Sequence, residues 1–268
     1  MSIHRCCTYV TMPRVKRKAS ITSDDIPSSK HTIIDLTEED QIIDRIVYNN
    51  TPDQLISHQS TLYQQITLKP VVHRVVLPAP ELCYYEIITQ LPNQCQLDTI
   101  EFNQLYQTHP AEYGTIKLFG RLIDTPRWHA CYGANNYKFT GVEHVTHPIL
   151  PNSLYNHLLQ YINTFDIRYQ YHSLLVNWYE SGQHYMGYHS DNEADLIPNA
   201  PIYSFTYGSE RLFRFQYKLD HCRTNELILL NNSCLIMGGA VQKYYKHALP
   251  KTNKPIGRRI NITMRVFK

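Results

Sequence analysis

No run of the 268 residues approaches the roughly 18 consecutive apolar side chains that a membrane-spanning helix needs, which excludes helical membrane proteins. The N-terminus lacks the apolar stretch of a secretory signal, so export is not expected. Paired CxxC motifs are absent, and the seven cysteines, odd in number, stand alone apart from adjacent Cys6 and Cys7. That excludes a zinc ribbon and a disulfide framework, and points to a reducing intracellular setting. Internal repeats are missing as well. Charge of one sign is not in excess: the formal net charge is +3, which permits nucleic-acid binding without requiring it.

What is present suits a folded, soluble chain, with 43% hydrophobic and 18% charged residues in a length that supports one large domain or two small ones. Residues 1–60 hold no sustained period and read as a flexible N-terminal tail preceding a folded domain over 61–268. Within the tail, Pro13–Lys18 forms a basic cluster of the kind that import receptors or phosphates bind, or simply a solvated charge run. Ile33-Ile34-Asp35-Leu36, followed by Thr37-Glu38-Glu39-Asp40, has the form of a SUMO-interacting strand, or of the first residues of the domain. The 14 histidines and 21 tyrosines are the conspicuous excess. They fit a β-rich core with polar rims, or a polar cavity that holds a metal and something flat.

Amphipathic spacing predicts two helices. One lies near Pro80–Leu91, through Leu82, Tyr85, Ile88 and Leu91. The other starts at Pro151 and carries Leu154, Leu158, Leu159 and Ile162 on one face. After residue 170 the chain turns to short β-prone runs: Leu174–Tyr179, Ile202–Tyr207, Leu212–Tyr217, Leu227–Leu230, Cys234–Met237 and Ile260–Phe267. Runs of this spacing, separated by Gly, Asn and Pro, predict a sandwich or double-sheet barrel.

Two stretches carry chemistry. In the last run, alternation sets Ile260, Ile262, Met264 and Val266 on one face and Arg259, Asn261, Thr263 and Arg265 on the other. The polar face is an ordinary solvated strand or a fork of donors suited to a carboxylate. His189-Ser190-Asp191 is the only His-x-Asp in the chain, and His247 lies 12 residues before Arg259. Two histidines and one carboxylate on one side of a metal describe a non-haem iron(II) site with open positions.

The ordered set of motifs from Ile116 to Lys268 resembles the AlkB-type iron(II)/2-oxoglutarate dioxygenases, especially eukaryotic members that repair alkylated nucleic acids. The set comprises Asn177-Trp178-Tyr179, His189-Ser190-Asp191-Asn192-Glu193, Pro201–Gly208, His247 with its trailing Leu249-Pro250, and Arg-x-Asn-x-Thr-x-Arg ending at Arg265. The resemblance implies an α+β, mainly β fold: a double-stranded β-helix, or jelly-roll, with flanking N-terminal helices and a nucleotide-recognition lid around 116–145. It implies Fe(II) held by His189, Asp191 and His247, with 2-oxoglutarate and O2 as co-substrates. The co-substrate's distal carboxylate would meet Arg259, with Asn177, Tyr179, Asn261, Thr263 and Arg265 lining the rest.

For substrate, the resemblance implies base recognition by Tyr137, Phe139 and Thr140 with Arg127, an apolar finger at Phe119, and Glu193 facing a base amine or a methylated base's charge. Tyr137 and Phe139 would otherwise be ordinary hairpin core. Arg211 and Lys218 would lie near a DNA-gripping hairpin. Asn192 replaces a commoner Asp, and Gln216 stands where an arginine is expected. The implied activity is oxidative demethylation of N1-methyladenine and N3-methylcytosine in DNA, with formaldehyde and succinate as products. The basic cluster adds the expectation of an intracellular, nuclear protein, and the lack of a long apolar run that of no membrane contact; a monomer is expected. The alternatives are an RNA or protein dioxygenase of the same fold, or a non-catalytic nucleic-acid-binding module.

Overall fold

Strands dominate because β-branched and aromatic residues recur at alternate positions. The structure is a computed structural model that describes residues 72–268 apart from 119, 135–136 and 140–141. The tail with its basic cluster and its Ile33–Leu36 segment therefore lies outside the described residues, as do Phe119 and Thr140.

Along the chain come β1 (Val72–Leu77), β2 (Cys83–Ile88), α1 (Thr99–Tyr106), β3 (Thr115–Leu118), β4 (Arg121–Asp124), β5 (Trp128–Gly133), β6 (Tyr137–Phe139), β7 (Val142–His144), β8 (Thr146–His147) and α2 (Leu154–Phe165). There follow β9 (Ser173–Tyr179), β10 (Met186–His189), β11 (Ile202–Gly208), β12 (Arg211–Tyr217), β13 (Thr224–Leu229), β14 (Ser233–Gly239), the short α3 (Val241–Tyr244), β15 (Tyr245–Leu249) and β16 (Arg259–Met264).

The larger sheet runs β1-β2-β14-β11-β16-β9-β5-β8 and the smaller β10-β15-β12-β13, while β3-β4 and β6-β7 form separate hairpins. Neighbours are antiparallel except β5 and β8. The two main sheets make the jelly-roll, and its interior is decided at β16. There Ile260, Ile262 and Met264 are fully buried against the helical layer, with Leu158 and Ile162 of α2 and Tyr106 of α1. The alternate residues face inward, so Arg259 sits opposite Tyr179, Asn261 opposite Asn177, and Thr263 opposite Ser204. Between the sheets Tyr85, Leu235 and Met237 pack against Phe213, Phe215 and Leu249.

The expected helix over Pro80–Leu91 is a strand instead. Cys83–Ile88 pairs with β1 on one side and β14 on the other, burying Cys83, Tyr85 and Ile88. The spacing of three imitates a helix, but the composition of Cys-Tyr-Tyr-Glu-Ile-Ile and two waiting partner strands decide for β. The second helix is present, but it begins after Pro151: Asn152 turns at φ 59°, and the Ser153 hydroxyl accepts from Asn156 N. Sequence reading passed over α1, although its capping box is written in Asp98 and Glu101, each side chain accepting from the other's backbone N–H.

Candidate metal centre

Pairing of β10 with β15 places His189 directly opposite His247, their ring centroids 4.2 Å apart. Asp191 follows two residues after His189, beyond the strand end. Ligand atoms of these three lie within 4.8 Å of one another, the one such cluster among the described residues.

Each ligand is held by a different device. His189 Nδ1 lies 2.9 Å from the Gly187 carbonyl, which fixes the proton there and leaves the Nε2 lone pair directed at Asp191 Oδ1, 3.5 Å away. Arg265 donates to Asp191 Oδ2 from Nε at 3.0 Å and from its terminal nitrogen at 2.8 Å. Asp191 Oδ1 is buried with no hydrogen-bond partner among the described residues, and so is His247 Nδ1. His247 stacks on Phe213 at 5.5 Å and 22°.

Burial raises the Asp191 carboxyl, but the Arg265 guanidinium, with help from His189, outweighs it and holds the group well below the ordinary carboxylate range. Burial, reinforced by His189, pushes His247 down to about 3, so its imidazole is neutral. One ionised carboxylate with a free buried oxygen and two imidazoles, one of them fixed neutral, are the donor set of a divalent first-row metal. The residues fit iron(II) on that ground.

The inner face of β16 fits a carboxylate. Arg259 is 1% exposed; its terminal nitrogen donates to Thr206 Oγ1 at 2.9 Å, and its Nε has no partner among the described residues. Its guanidinium carbon stands 5.1 Å from the Tyr179 ring centroid, and burial pushes its pKa down to about 10. A buried cation without an anion is costly, so the cavity it lines favours a carboxylate ligand. Asn177 Oδ1 accepts from Arg127 Nε at 2.8 Å, which leaves the Asn177 amide hydrogens for the cavity. Asn261 is committed to the wall: Nδ2 donates to Ser204 Oγ and to the Phe205 carbonyl, both at 2.8 Å, and Oδ1 accepts from Thr263 Oγ1.

Asn177, Tyr179, Arg259, Asn261, Thr263 and Arg265 therefore line one cavity together with the three metal-ligand candidates. Sequence reading missed its apolar wall of Met186, Phe213, Met237 and Leu249. The signal was available, because Leu249 stands two positions after His247 on the same strand face.

The substrate candidates scatter more. Arg127 is 5% exposed and lies behind Asn177, not on the surface. Tyr137 and Phe139 fall on β6, opposite His144 and Val142. Glu193 lines a second cavity of about 520 Å³ with Asn192, Asn199, Lys218 and Gln242, and this cavity also touches Asp191 and Arg265. Arg211 corrects the expectation of a surface grip. It is 2% exposed and donates to the carbonyls of Ser181, His184 and Pro250, because strand alternation turns it inward with Phe213 and Phe215. Lys218 is anchored by donating to the Gln242 carbonyl at 2.8 Å.

Comparison with known proteins agrees with this chemistry. The sequence profile of the 2OG-Fe(II) oxygenase superfamily matches residues 88–265. DNA oxidative demethylase ALKBH2 of Mus musculus is 28% identical over 191 residues, covering 66% of this chain and 77% of its own length. ALKBH2 of Homo sapiens is 28% identical over 162 residues, 56% of this chain and 60% of its own. Alpha-ketoglutarate-dependent dioxygenase alkB homolog 3 of Rattus norvegicus is 28% identical over 154 residues, 52% of this chain and 50% of its own. The profile match runs from the end of β2 to the arginine that clamps Asp191, and with these relatives it makes the chain an AlkB-type member of the 2OG-Fe(II) oxygenase superfamily.

Proposed function

We propose that the chain demethylates alkylated bases in DNA, with N1-methyladenine and N3-methylcytosine as substrates. The observation that carries this reading is the cavity of about 520 Å³ that opens onto Asp191 and Arg265 and is lined by Glu193. Its size suits an extruded nucleobase, and a carboxylate in its wall suits the cationic ring of a methylated adenine or cytosine. The relatives named for DNA oxidative demethylation support the choice.

His189, Asp191 and His247 hold the iron. Arg259 would receive the distal carboxylate of 2-oxoglutarate, and Asn177, its amide oriented by Arg127, would line the same pocket. Met186, Phe213, Met237 and Leu249 keep water from that pocket. Iron and 2-oxoglutarate, when bound with O2, would supply the oxidising power that hydroxylates an N-methyl group, which then leaves as formaldehyde, the co-substrate being decarboxylated to succinate and CO2. Glu193 would orient the base, and the β3–β4 hairpin, which turns at Gly120, carries the segment where the apolar finger is expected at Phe119.

The test is a panel of methylated oligonucleotides, single- and double-stranded, DNA and RNA, incubated with Fe(II), ascorbate and 2-oxoglutarate. Formaldehyde release from methylated DNA is expected. Release from RNA alone would move the substrate to RNA, and release from none would overturn the reading.

A further inference from the structure

We infer that Gln242 is a positioning residue for the metal ligand Asp191. Asp191 lies past the end of β10, so no strand ladder holds its backbone. Its N–H instead donates to Gln242 Oε1 at 3.0 Å, across 51 residues of sequence. A buried backbone N–H needs a partner, and here a side chain supplies it.

The orientation of the amide is fixed by what surrounds it. Because Oε1 faces the Asp191 N–H, Nε2 must face the other way, and there it donates to Met237 Sδ at 3.6 Å. Met237 lines the metal cavity and is 3% exposed. The Gln242 carbonyl accepts from Lys218 Nζ at 2.8 Å, which ties α3 to the end of β12. Beside it, Ser190 Oγ donates to the Tyr245 carbonyl at 2.8 Å.

The carboxylate of Asp191 is therefore clamped twice, from independent directions. Arg265 sets the plane of the side chain through Oδ2, and Gln242 sets the main chain from which that side chain departs. With both in place Oδ1 is turned toward His189 Nε2. Outer partners of this kind typically govern metal affinity by about 10- to 100-fold. Nothing in the residue types announces the role, since Gln242 is neither acidic nor basic and lies far from His189-Ser190-Asp191 in sequence.

The inference rests on the metal assignment above and is independent of which nucleic acid the enzyme acts on. Three variants of the full chain, purified metal-free, separate the roles: Gln242→Leu removes the acceptor, Gln242→Asn withdraws it by one methylene, and Gln242→Glu keeps it. Binding of Mn(II) is measured by calorimetry, alongside the melting temperature of each metal-free protein. Leu and Asn are expected to weaken Mn(II) binding about tenfold, with Glu within about twofold of wild type. Wild-type affinity in Leu and Asn overturns the inference. So does equal loss in Glu, or in the Asn and Glu pair alone should Leu fail to fold. A His189→Ala control that binds Mn(II) like wild type would instead overturn the ligand assignment itself.

Discussion

Buried charge is the organising constraint at the scale of single residues. Asp191 is tolerated inside the barrel because Arg265 grips one oxygen, and the other is left for a metal. His189→Ala and Asp191→Ala are expected to abolish turnover while the far-ultraviolet circular dichroism stays that of the wild type; full activity in either would refute the ligand assignment. Arg259 has no anion of its own, so its removal has two opposite effects. Arg259→Gln should leave the metal-free melting temperature unchanged or higher, because a costly buried cation is gone. It should weaken 2-oxoglutarate binding at least about tenfold, the loss of one charge-assisted contact. Calorimetry with 2-oxoglutarate and a thermal melt read both signs. A destabilised protein with normal 2-oxoglutarate affinity would assign Arg259 to structure only.

Among the elements, β16 carries both the core and the site, and its two faces predict different phenotypes. Ile262 is fully buried beneath the helical layer. Ile262→Ala should cost about 2–5 kcal/mol in urea unfolding through lost burial and the cavity left behind, far more than the roughly 1 kcal/mol expected for loss of the Asp98 cap on α1. This strand was legible in the sequence because strict alternation separates Ile260, Ile262 and Met264 from Arg259, Asn261 and Thr263 without help from distant residues. His189, Asp191 and His247 could be picked out as metal-ligand candidates chiefly through the ordered motifs of the resemblance, since a single His-x-Asp is a weak signal and His247 joins it only by the long-range pairing of β10 with β15. β2 was not legible, because Leu82, Tyr85, Ile88 and Leu91 keep helical spacing and only the pairing with β1 and β14 settles the matter. Gln242 and the inward Arg211 were hidden for the same physical reason: their partners lie tens of residues away.

For the molecule as a whole, charge is placed rather than accumulated. The net charge is only +3, and three of the cations lining the two cavities are committed, Arg265 to Asp191, Lys243 to Glu81 and Lys218 to a carbonyl, while Arg259 faces no carboxylate among the described residues. Stability against acid should follow the same logic away from the metal centre. Burial raises the Asp166 carboxyl, but Arg168, through contacts of 2.8 and 3.0 Å, and the Tyr203 hydroxyl at 3.1 Å hold it below the ordinary range. A carboxyl depressed on folding stabilises above its unfolded pKa of about 3.9 and loses that contribution as pH falls through its folded value. The stability gap between wild type and Asp166→Asn should therefore narrow as pH drops below about 4, and chemical denaturation at stepped pH reads it. A gap that stays constant down to acid unfolding would remove Asp166 from the account.

The central claim joins the metal centre to the base-sized cavity beside it, and its most direct measurement is the coupling of two products in one reaction. Purified chain, Fe(II), 2-oxoglutarate and a DNA oligonucleotide carrying one N1-methyladenine are followed by mass spectrometry for succinate and for the demethylated strand. The account predicts that the two rise together in equal amounts, and that both vanish in His189→Ala. Succinate formed while the methylated strand stays intact would contradict it.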